Sequence, residues 1–375
     1  MRYTVPDYYK DFSCIASACP ATCCAGWQIV IDEKSLKNYK NLKGPFGSRL
    51  LNSINQDEMT FDQFNGRCAF LDENNLCDIY TEAGPDYLCR TCRRYPRHIE
   101  EFDNERECSL SVSCPVVAKI LLQMEKPPLY LTKEDDRSEA EDDNFDFFLY
   151  SALQDTRAVM FEILRDSSRN VKERLAAILA IGHDVQNRID SNQVFDIQNV
   201  IEKYKNDQQG QKLHIRFQKF LQENPEKPCS DPELLSLLDE LEVLDPTWPS
   251  LLKEYRGYLE KGAYGNEKLP TYKNEPALLI LTEYFIYTYF CGAVYDGDAL
   301  AKVKMSLYSV LVIFTLAKAA MFCMDTFTLQ DFGQIIWKYS RELEHSDPNL
   351  NKLEELMNES KQASFENLLM LILQL

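Results

Sequence analysis

The sequence predicts a mainly α-helical protein, in which a small loop-rich cysteine-cluster domain with a short hairpin precedes an all-helical domain. Three observations carry this. Ten of the 13 cysteines fall between Cys14 and Cys114. From residue 145 onward, apolar residues recur at steps of three, four or seven, the period of a one-sided helix. Between the two regions, EKPPLYLTKEDDRSEAEDDN (125–144) combines a Pro-Pro step with an acidic run and reads as a linker. The predicted units are 1–124, 125–144 and 145–375.

Composition narrows the function classes. Apolar residues make up 45% and charged residues 27% of the 375, ordinary globular usage that excludes disordered and fibrous chains. Lys and Arg total 41 against 59 Asp and Glu, a formal charge of −18. Nucleic-acid binding rests on cations that neutralise phosphates, so that class is disfavoured. Residues 1–124 hold 14 Lys and Arg against 17 Asp and Glu, and the remainder 27 against 42. The acidity belongs to the helical part.

Along the chain, MRYTVPDYYKDF has no cationic stretch leading into an apolar one, so the expected address is cytoplasmic. Clustered cysteines there more often bind metal than form disulfides. Gly26–Asp32 is expected as a short strand and Glu33–Leu42 as a helix. Residues 68–71 and 76–80 flank Asp72-Glu73-Asn74-Asn75 and suggest the hairpin. Ser113-Cys114-Pro115 marks a helix start. Helical stripes follow over 145–165, 171–189, 248–262, 274–295, 299–324, 328–344 and 349–373, separated largely by prolines, with no fixed-period repeat. Two stretches, 276–295 and 305–324, have the length of a membrane span, but Glu283 and Lys318 interrupt them. Buried core helices are the expectation, with no membrane insertion.

Four cysteine groups carry the chemistry: Cys14, Cys19, Cys23 and Cys24; Cys68 and Cys77; Cys89 and Cys92; and Cys114, with Cys108 six residues earlier. Thiolates are soft ligands that suit zinc and iron–sulfur clusters. Only Cys89/Cys92 has the two-residue gap of a zinc knuckle, and the adjacent Cys23-Cys24 pair is awkward for one tetrahedral ion. Loop-borne thiols from several segments fit a cluster at least as well. Arg90, Arg93, Arg94, Arg97 and His98 crowd the third group, and cations of this kind lower thiol pKa values.

Several motifs together carry a resemblance. Cys19-x3-Cys23-Cys24, Cys77-Asp78-Ile79-Tyr80, Cys89-Arg90 and Tyr95-Pro96 resemble a bacterial cysteine-cluster family of iron- or zinc-chelating domains. VPDYYKDFSCI, CCAGWQI, the 68–77 segment, LCRTCRRYPR and SLSVSCP are similar to the flagellin lysine-N-methylase family, over roughly residues 3–122. The resemblance implies a protein-lysine N-methyltransferase that uses S-adenosylmethionine and a cysteine-ligated 4Fe-4S cluster, with zinc as the alternative metal and flagellin as partner. Carried over by position, the metal candidates are Cys14, Cys19, Cys23, Cys24, Cys68, Cys77, Cys89, Cys92 and Cys114. Nine exceed the four that one cluster needs, so some are structural, bind a second metal or take part in chemistry. The competing reading is a non-catalytic metal-chelating or redox-sensing module whose helical domain docks a partner.

No glycine-rich turn after a strand appears, and no three cysteines have the C-x3-C-x2-C spacing of radical S-adenosylmethionine enzymes; Gly26 stands where the third would fall. Lysine methylation needs a deprotonated amine, hence a base or a desolvated pocket. Tyr284–Phe290, with Glu283 and Asp296, is a candidate alkylammonium pocket, against the plainer reading of a core helix with amphipathic tyrosines. His183, His214 and His345 are isolated and read as structural or exposed.

Overall fold

The Arg2–Pro6 strand takes both its partners from distant chain, beyond the loops that carry most of the cysteines. In the computed structural model, which describes residues 1–137, 144–205, 207–224, 228–261 and 271–375, it lies in a four-stranded mixed sheet. The strand order is Arg97–Phe102, Glu105–Leu110, Arg2–Pro6, Tyr130–Glu134. Arg2–Pro6 runs parallel to Glu105–Leu110, with Thr4 opposite Glu107, and antiparallel to Tyr130–Glu134, with Val5 opposite Leu131. The expected linker therefore begins as an edge strand; its acidic run at 138–143 lies outside the described residues.

Two hydrophobic cores divide the chain differently from the linear boundary at 124. Ile29, Ile31, Tyr39, Leu50, Phe61, Phe70 and Ile79 form a small core with Cys68 and Cys89. Tyr8, Phe102, Leu110, Val112, Cys114 and Val117 instead join the core of the helical part. The sheet is thus the floor of the large core, and the cysteine loops form a lobe inserted into it.

Within the small lobe, Glu33–Asn41 is helical as expected, started by Asp32, whose carboxylate accepts from Ser35 N. Gly26–Asp32 is not a strand. Ile29 and Ile31 are buried and Val30 exposed, the alternation of an extended chain, but pairing amounts to isolated bridges at Ala25 and Val30. Gly26, at φ +85°, bends the chain off any partner strand. The expected hairpin closes only at its turn: Asp72 Oδ1 accepts from Asn74 N at 2.8 Å and Leu76 N at 2.7 Å, and Leu71 bridges Cys77. A two-residue ladder forms earlier, between Gln63–Phe64 and Arg67–Cys68. Its turn is Asn65-Gly66, both at positive φ, the dipeptide that a tight hairpin favours.

The helical part is built around Ala299–Cys323, apolar on all sides because it is covered on all sides. It packs against Val171–Asp190, Thr271–Tyr289, Trp248–Glu260, Leu329–Glu344 and Asp347–Glu359. Gly182 permits the first of these approaches; a Cβ there would stand 3.0 Å from Val303. Caps set the starts: Asn170, Asp298, Ser346 and Ser364 each accept from a backbone N–H three residues on, and Thr328 with Asp331 forms a capping box. The 349–373 stripe resolves into two helices, Asp347–Glu359 and Phe365–Gln374. Two helices, Glu275–Asp296 and Ala299–Cys323, are long and apolar enough to cross a membrane, yet 83% and 78% of their apolar windows are buried against protein. Both pack as core helices of the helical part.

Candidate functional site

The nine candidate thiols fall into two neighbourhoods that meet at Cys23-Cys24. All 13 cysteines are free thiols. Cys24, Cys68, Cys77, Cys89 and Cys92 line the small core. Backbone pairing brings the first two together: Cys68 N donates to Cys24 O at 2.8 Å, beside the Ala25–Arg67 bridge. The bridge at Cys77 and the helix Arg90–Arg94 supply the others. Cys89 caps that helix and is fully buried; Arg90 N donates to Asp32 and Thr91 Oγ1 to Val30 O, both at 2.8 Å, which pins the helix to the 30–32 segment.

The thiol pKa values reflect this crowding. Burial pushes Cys68 up to about 12, and the thiols of Cys24, Cys77 and Cys89 add to the effect. Cys89 is lowered by a hydrogen bond from Cys92, which is raised in turn. Cys24 is brought down to about 7 by a hydrogen bond from Cys23 against burial, helped by Thr22 and the Arg67 cation. Arg90, Arg93 and Arg94, the cations expected beside the thiols, are exposed; the short helix turns its cysteines inward and these arginines out. The cations that do stand by the thiols are Arg67 at Cys24 and Arg341 at Cys23.

Cys14, Cys19, Cys23 and Cys114 form the second neighbourhood, where the lobe meets the helical part. Cys114, at the start of helix Pro115–Gln123, is raised by burial; Val117 and Val116 N–H groups oppose the shift, and Cys19 and Cys14 add to it. Cys23 likewise has Cys14 near it. Arg341, on helix Leu329–Glu344, holds the two segments together. It donates to Ala21 O at 2.8 Å, Thr22 O at 3.3 Å and Ser113 O at 3.1 Å, each next to or near a cysteine of this set. Trp27 Nε1 donates to Cys23 O at 2.7 Å, and its ring lies 4.6 Å from His345 and 5.9 Å from Tyr95.

Beside this set lies a polar network that the sequence marks only in part. Glu344 accepts from Tyr284 OH at 2.7 Å, Tyr289 OH at 3.0 Å and Ser111 Oγ at 2.6 Å. Ser113 Oγ lies 3.0 Å from His345 Nε2 and 3.1 Å from Tyr95 OH. Burial and Arg341 bring the His345 pKa down to about 3, so the imidazole stays neutral and reads the junction by hydrogen bonding and stacking. Tyr284 and Tyr289 belong to the candidate pocket the sequence offers, whereas Glu344 carries no signal there and His345 looks isolated; the serines of SLSVSC turn out to be contact points.

The pocket expected around Glu283 resolves into packing. Glu283 pairs with Arg165, Tyr287 OH donates to Thr4 O at 3.1 Å, and Cys291 is buried. Asp296 pairs with Lys302 at 2.8 Å. His183 is half-buried beside Asn187, and His214 is exposed beside Glu173. Cys108 is buried on the sheet, and its carbonyl accepts from Tyr287 OH at 3.3 Å. Cys229, Cys291 and Cys323 stand apart from both thiol sets, in the helical part. Replacing each by Ser or Ala is expected to leave bound metal unchanged, with stability losses of about 1 kcal/mol at the buried Cys291 and less at the exposed Cys323. Elemental analysis and denaturant titration of the three variants check this.

Among the described residues, no three His, Cys, Asp or Glu side chains close tightly enough on one point to enclose a single ion. A cluster of several irons holds its thiolates further apart than one ion does. The candidate thiols are all sulfur donors, which would suit a thiophilic metal rather than an oxygen-seeking one.

Comparison with known proteins places the chain. Residues 157–371 match the family described as the FliB lysine N-methylase C-terminal domain. The flagellar biosynthetic protein FliU of Salmonella muenchen is 33% identical over 132 residues, which cover 32% of this chain and 76% of that protein. Lysine-N-methylases of Salmonella choleraesuis (strain SC-B67) and Salmonella typhimurium (strain LT2) are also 33% identical over 132 residues, 32% of each chain. The alignment thus spans about a third of the length of those two proteins. No solved structure matches. The matched segment carries the helices that supply Tyr284, Tyr289, Arg341, Glu344 and His345; the chain belongs to the FliB lysine N-methylase family.

Proposed function

We propose that this chain is a cytoplasmic protein-lysine N-methyltransferase that acts on flagellin with S-adenosylmethionine and a cysteine-ligated 4Fe-4S cluster. Family membership and the flagellar name of one relative support the reaction class and the substrate. The observation that carries the reading is spatial. The family-matched helices deliver Arg341, Glu344 and His345 to the junction, where Arg341 ties the Ala21-Thr22 loop to Ser113 and Glu344 and His345 meet Ser111 and Ser113.

Residues of this chain have two tasks. The thiols named above would hold the metal group, which supplies electron-rich sulfur-ligated iron chemistry when bound. The junction receives the lysine: Glu344, oriented by two phenols and a serine, offers an anionic partner for the incoming ammonium. Trp27 and Tyr95 offer aromatic faces that exclude water and favour an alkylated cation. Desolvation there works against the pull of Glu344 to lower the lysine pKa from its usual 10.4; the proton passes to Glu344, and the freed lone pair forms the new N–C bond as the methyl–sulfonium bond of the donor breaks and leaves a neutral thioether. S-adenosylmethionine supplies the methyl group.

The deciding experiment purifies the chain anaerobically and supplies flagellin and methyl-labelled S-adenosylmethionine. Label on flagellin lysines is the expected result. Unlabelled flagellin alongside fully metal-loaded protein sinks the proposal and favours the chelating or redox-sensing module. Because the helical part holds 42 acidic against 27 basic residues, counting on from residue 125, it should attract lysine-bearing surfaces. Initial rates are therefore expected to fall as salt rises past ~0.1 M, where the screening length is about 10 Å. Rates indifferent to salt remove this steering.

A further inference from the structure

We infer that Phe147, Phe148 and Phe195 form a docking patch for the protein substrate, receiving an apolar side chain that the substrate presents between lysines. The partner's identity rests on the proposed function; no step of methyl transfer is assigned to the patch. The three rings lie on the surface, 61%, 63% and 77% exposed, and Phe195 is the most exposed large apolar residue among those described. They gather in one place: the Phe148 ring centre stands 6.3 Å from that of Phe147 and 5.3 Å from that of Phe195. Two separate elements supply them, the first turn of helix Phe147–Arg165 and the short turn Val194–Asp196. Apolar residues exposed singly are ordinary, whereas aromatic rings gathered into a surface patch mark binding surfaces.

The fold does not need the three rings where they are. Leu149, Tyr150 and Leu153 already give helix Phe147–Arg165 its buried start, and Ile197 and Val200 do the same for helix Ile197–Lys205. Charge selects the partner. Residues 144–156 and 189–202 contain five acidic residues and no Lys or Arg. Asp146 and Asp196 adjoin the rings in sequence, and both are exposed. Asp155, seven positions after Phe148, and Glu162, seven further, are also exposed and continue the same helix face. Of the cations that flank these stretches, Arg157 is buried on Glu107, Lys203 pairs with Asp184, and Arg188 is half-buried. An aromatic centre with an acidic rim repels phosphate-bearing surfaces such as nucleic acid and anionic lipid. It suits an apolar anchor flanked by cations, which is the chemistry of a lysine-bearing protein surface.

The test reads binding apart from methyl transfer. The full chain is titrated with monomeric flagellin in the absence of S-adenosylmethionine, and KM and kcat for labelling are measured separately. Two triple variants are compared with the wild type, Phe147→Ser/Phe148→Ser/Phe195→Ser and Asp146→Asn/Asp155→Asn/Asp196→Asn. Phe64→Ser, at a 66% exposed ring on the small lobe, is the control, and circular dichroism checks each fold. The serine variant is expected to bind flagellin at least about tenfold more weakly and to raise KM far more than it alters kcat. The asparagine variant should bind more weakly at low salt and lose part of the salt dependence. Phe64→Ser should match the wild type. A serine variant that binds as the wild type does overturns the inference, as does a wild type that does not bind flagellin. An asparagine variant of undiminished affinity overturns the choice of a cationic partner. A concentration-dependent dimer in sedimentation that the serine variant lacks gives the patch to a second copy of the chain and overturns the inference too. Binding that depends on the three rings, with no flagellin lysine ever labelled, keeps the patch and removes the methyltransferase reading; labelling with an unchanged KM in the serine variant does the reverse.

Discussion

Arg157→Ala is expected to destabilise the protein by about 3–5 kcal/mol, more than any surface substitution. Arg157, on helix Phe147–Arg165, reaches the sheet and grips both carboxylate oxygens of Glu107, one of them at 2.5 Å. Their side chains are only 9% and 5% exposed. Truncating the arginine leaves a buried carboxylate without its cation, and the backbone carbonyl of Tyr287 loses a donor held at 3.2 Å. Most of the cost is that stranded charge rather than the net value of the pair. A paired change, Arg157→Met with Glu107→Leu, should therefore recover most of the loss, because neither buried charge remains. Denaturant titration of the two singles and the double checks this. A double as unstable as Arg157→Ala would place the cost in lost packing against the Tyr287 ring, 5.1 Å from the guanidinium, instead.

That ion pair also marks where the sequence was readable and where it was not. Helices announce themselves locally: the stripe Leu175, Ile178, Leu179, Gly182, Val185 faces the core, and Asn170 caps it. Local chemistry decides such elements, so spacing and caps suffice. The sheet has no such signature. Arg2–Pro6 pairs with Glu105–Leu110 and Tyr130–Glu134, and nothing in a five-residue strand states which distant chain completes it. Gly26–Asp32 shows the converse, an alternation of buried and exposed residues without a partner strand to make it a ladder. Asn65-Gly66 is the dipeptide of a tight hairpin, but its flanking strands are only two residues long and give the sequence no alternating pattern to go with it.

The site divides the same way. Cysteine spacing marked the ligand candidates, since thiols crowd a sequence only for a reason such as metal. The residues that bring them against the helical part, Arg341, Glu344 and His345, stand more than two hundred positions from Ser111 and Ser113, which they contact. In sequence His345 looks alone. In the fold it has Trp27, Tyr95 and Ser113 around it. The arginine-rich stretch after Cys89 misled for a geometrical reason, as the helix that buries Cys89 must turn Arg90, Arg93 and Arg94 outward.

Cys24→Ser, Cys89→Ser and Cys92→Ser are each expected to lose bound metal and methyl transfer together, these three being ligands and the fourth drawn from Cys68 and Cys77. A serine hydroxyl is a poor substitute for a thiolate toward zinc or iron, and Cys89 itself is fully buried, away from water that could take its place. Metal bound by four thiolates contributes on the order of 10 kcal/mol to a small domain, comparable with the whole stability of such a unit. Losing it should loosen the segment that Arg90 N and Thr91 Oγ1 pin to residues 30–32, and with it the position of Trp27 at the junction. Activity should drop by more than the roughly 10–100-fold that follows removal of a contact merely supporting a metal ligand. Iron and zinc per chain, near-ultraviolet circular dichroism and label on flagellin are measured side by side. Full metal in all three variants would show the ligand assignment to be wrong. Full metal with methyl transfer alone abolished would instead make these thiols participants in the reaction, because a group that neither holds the metal nor supports the lobe can act only on the substrate.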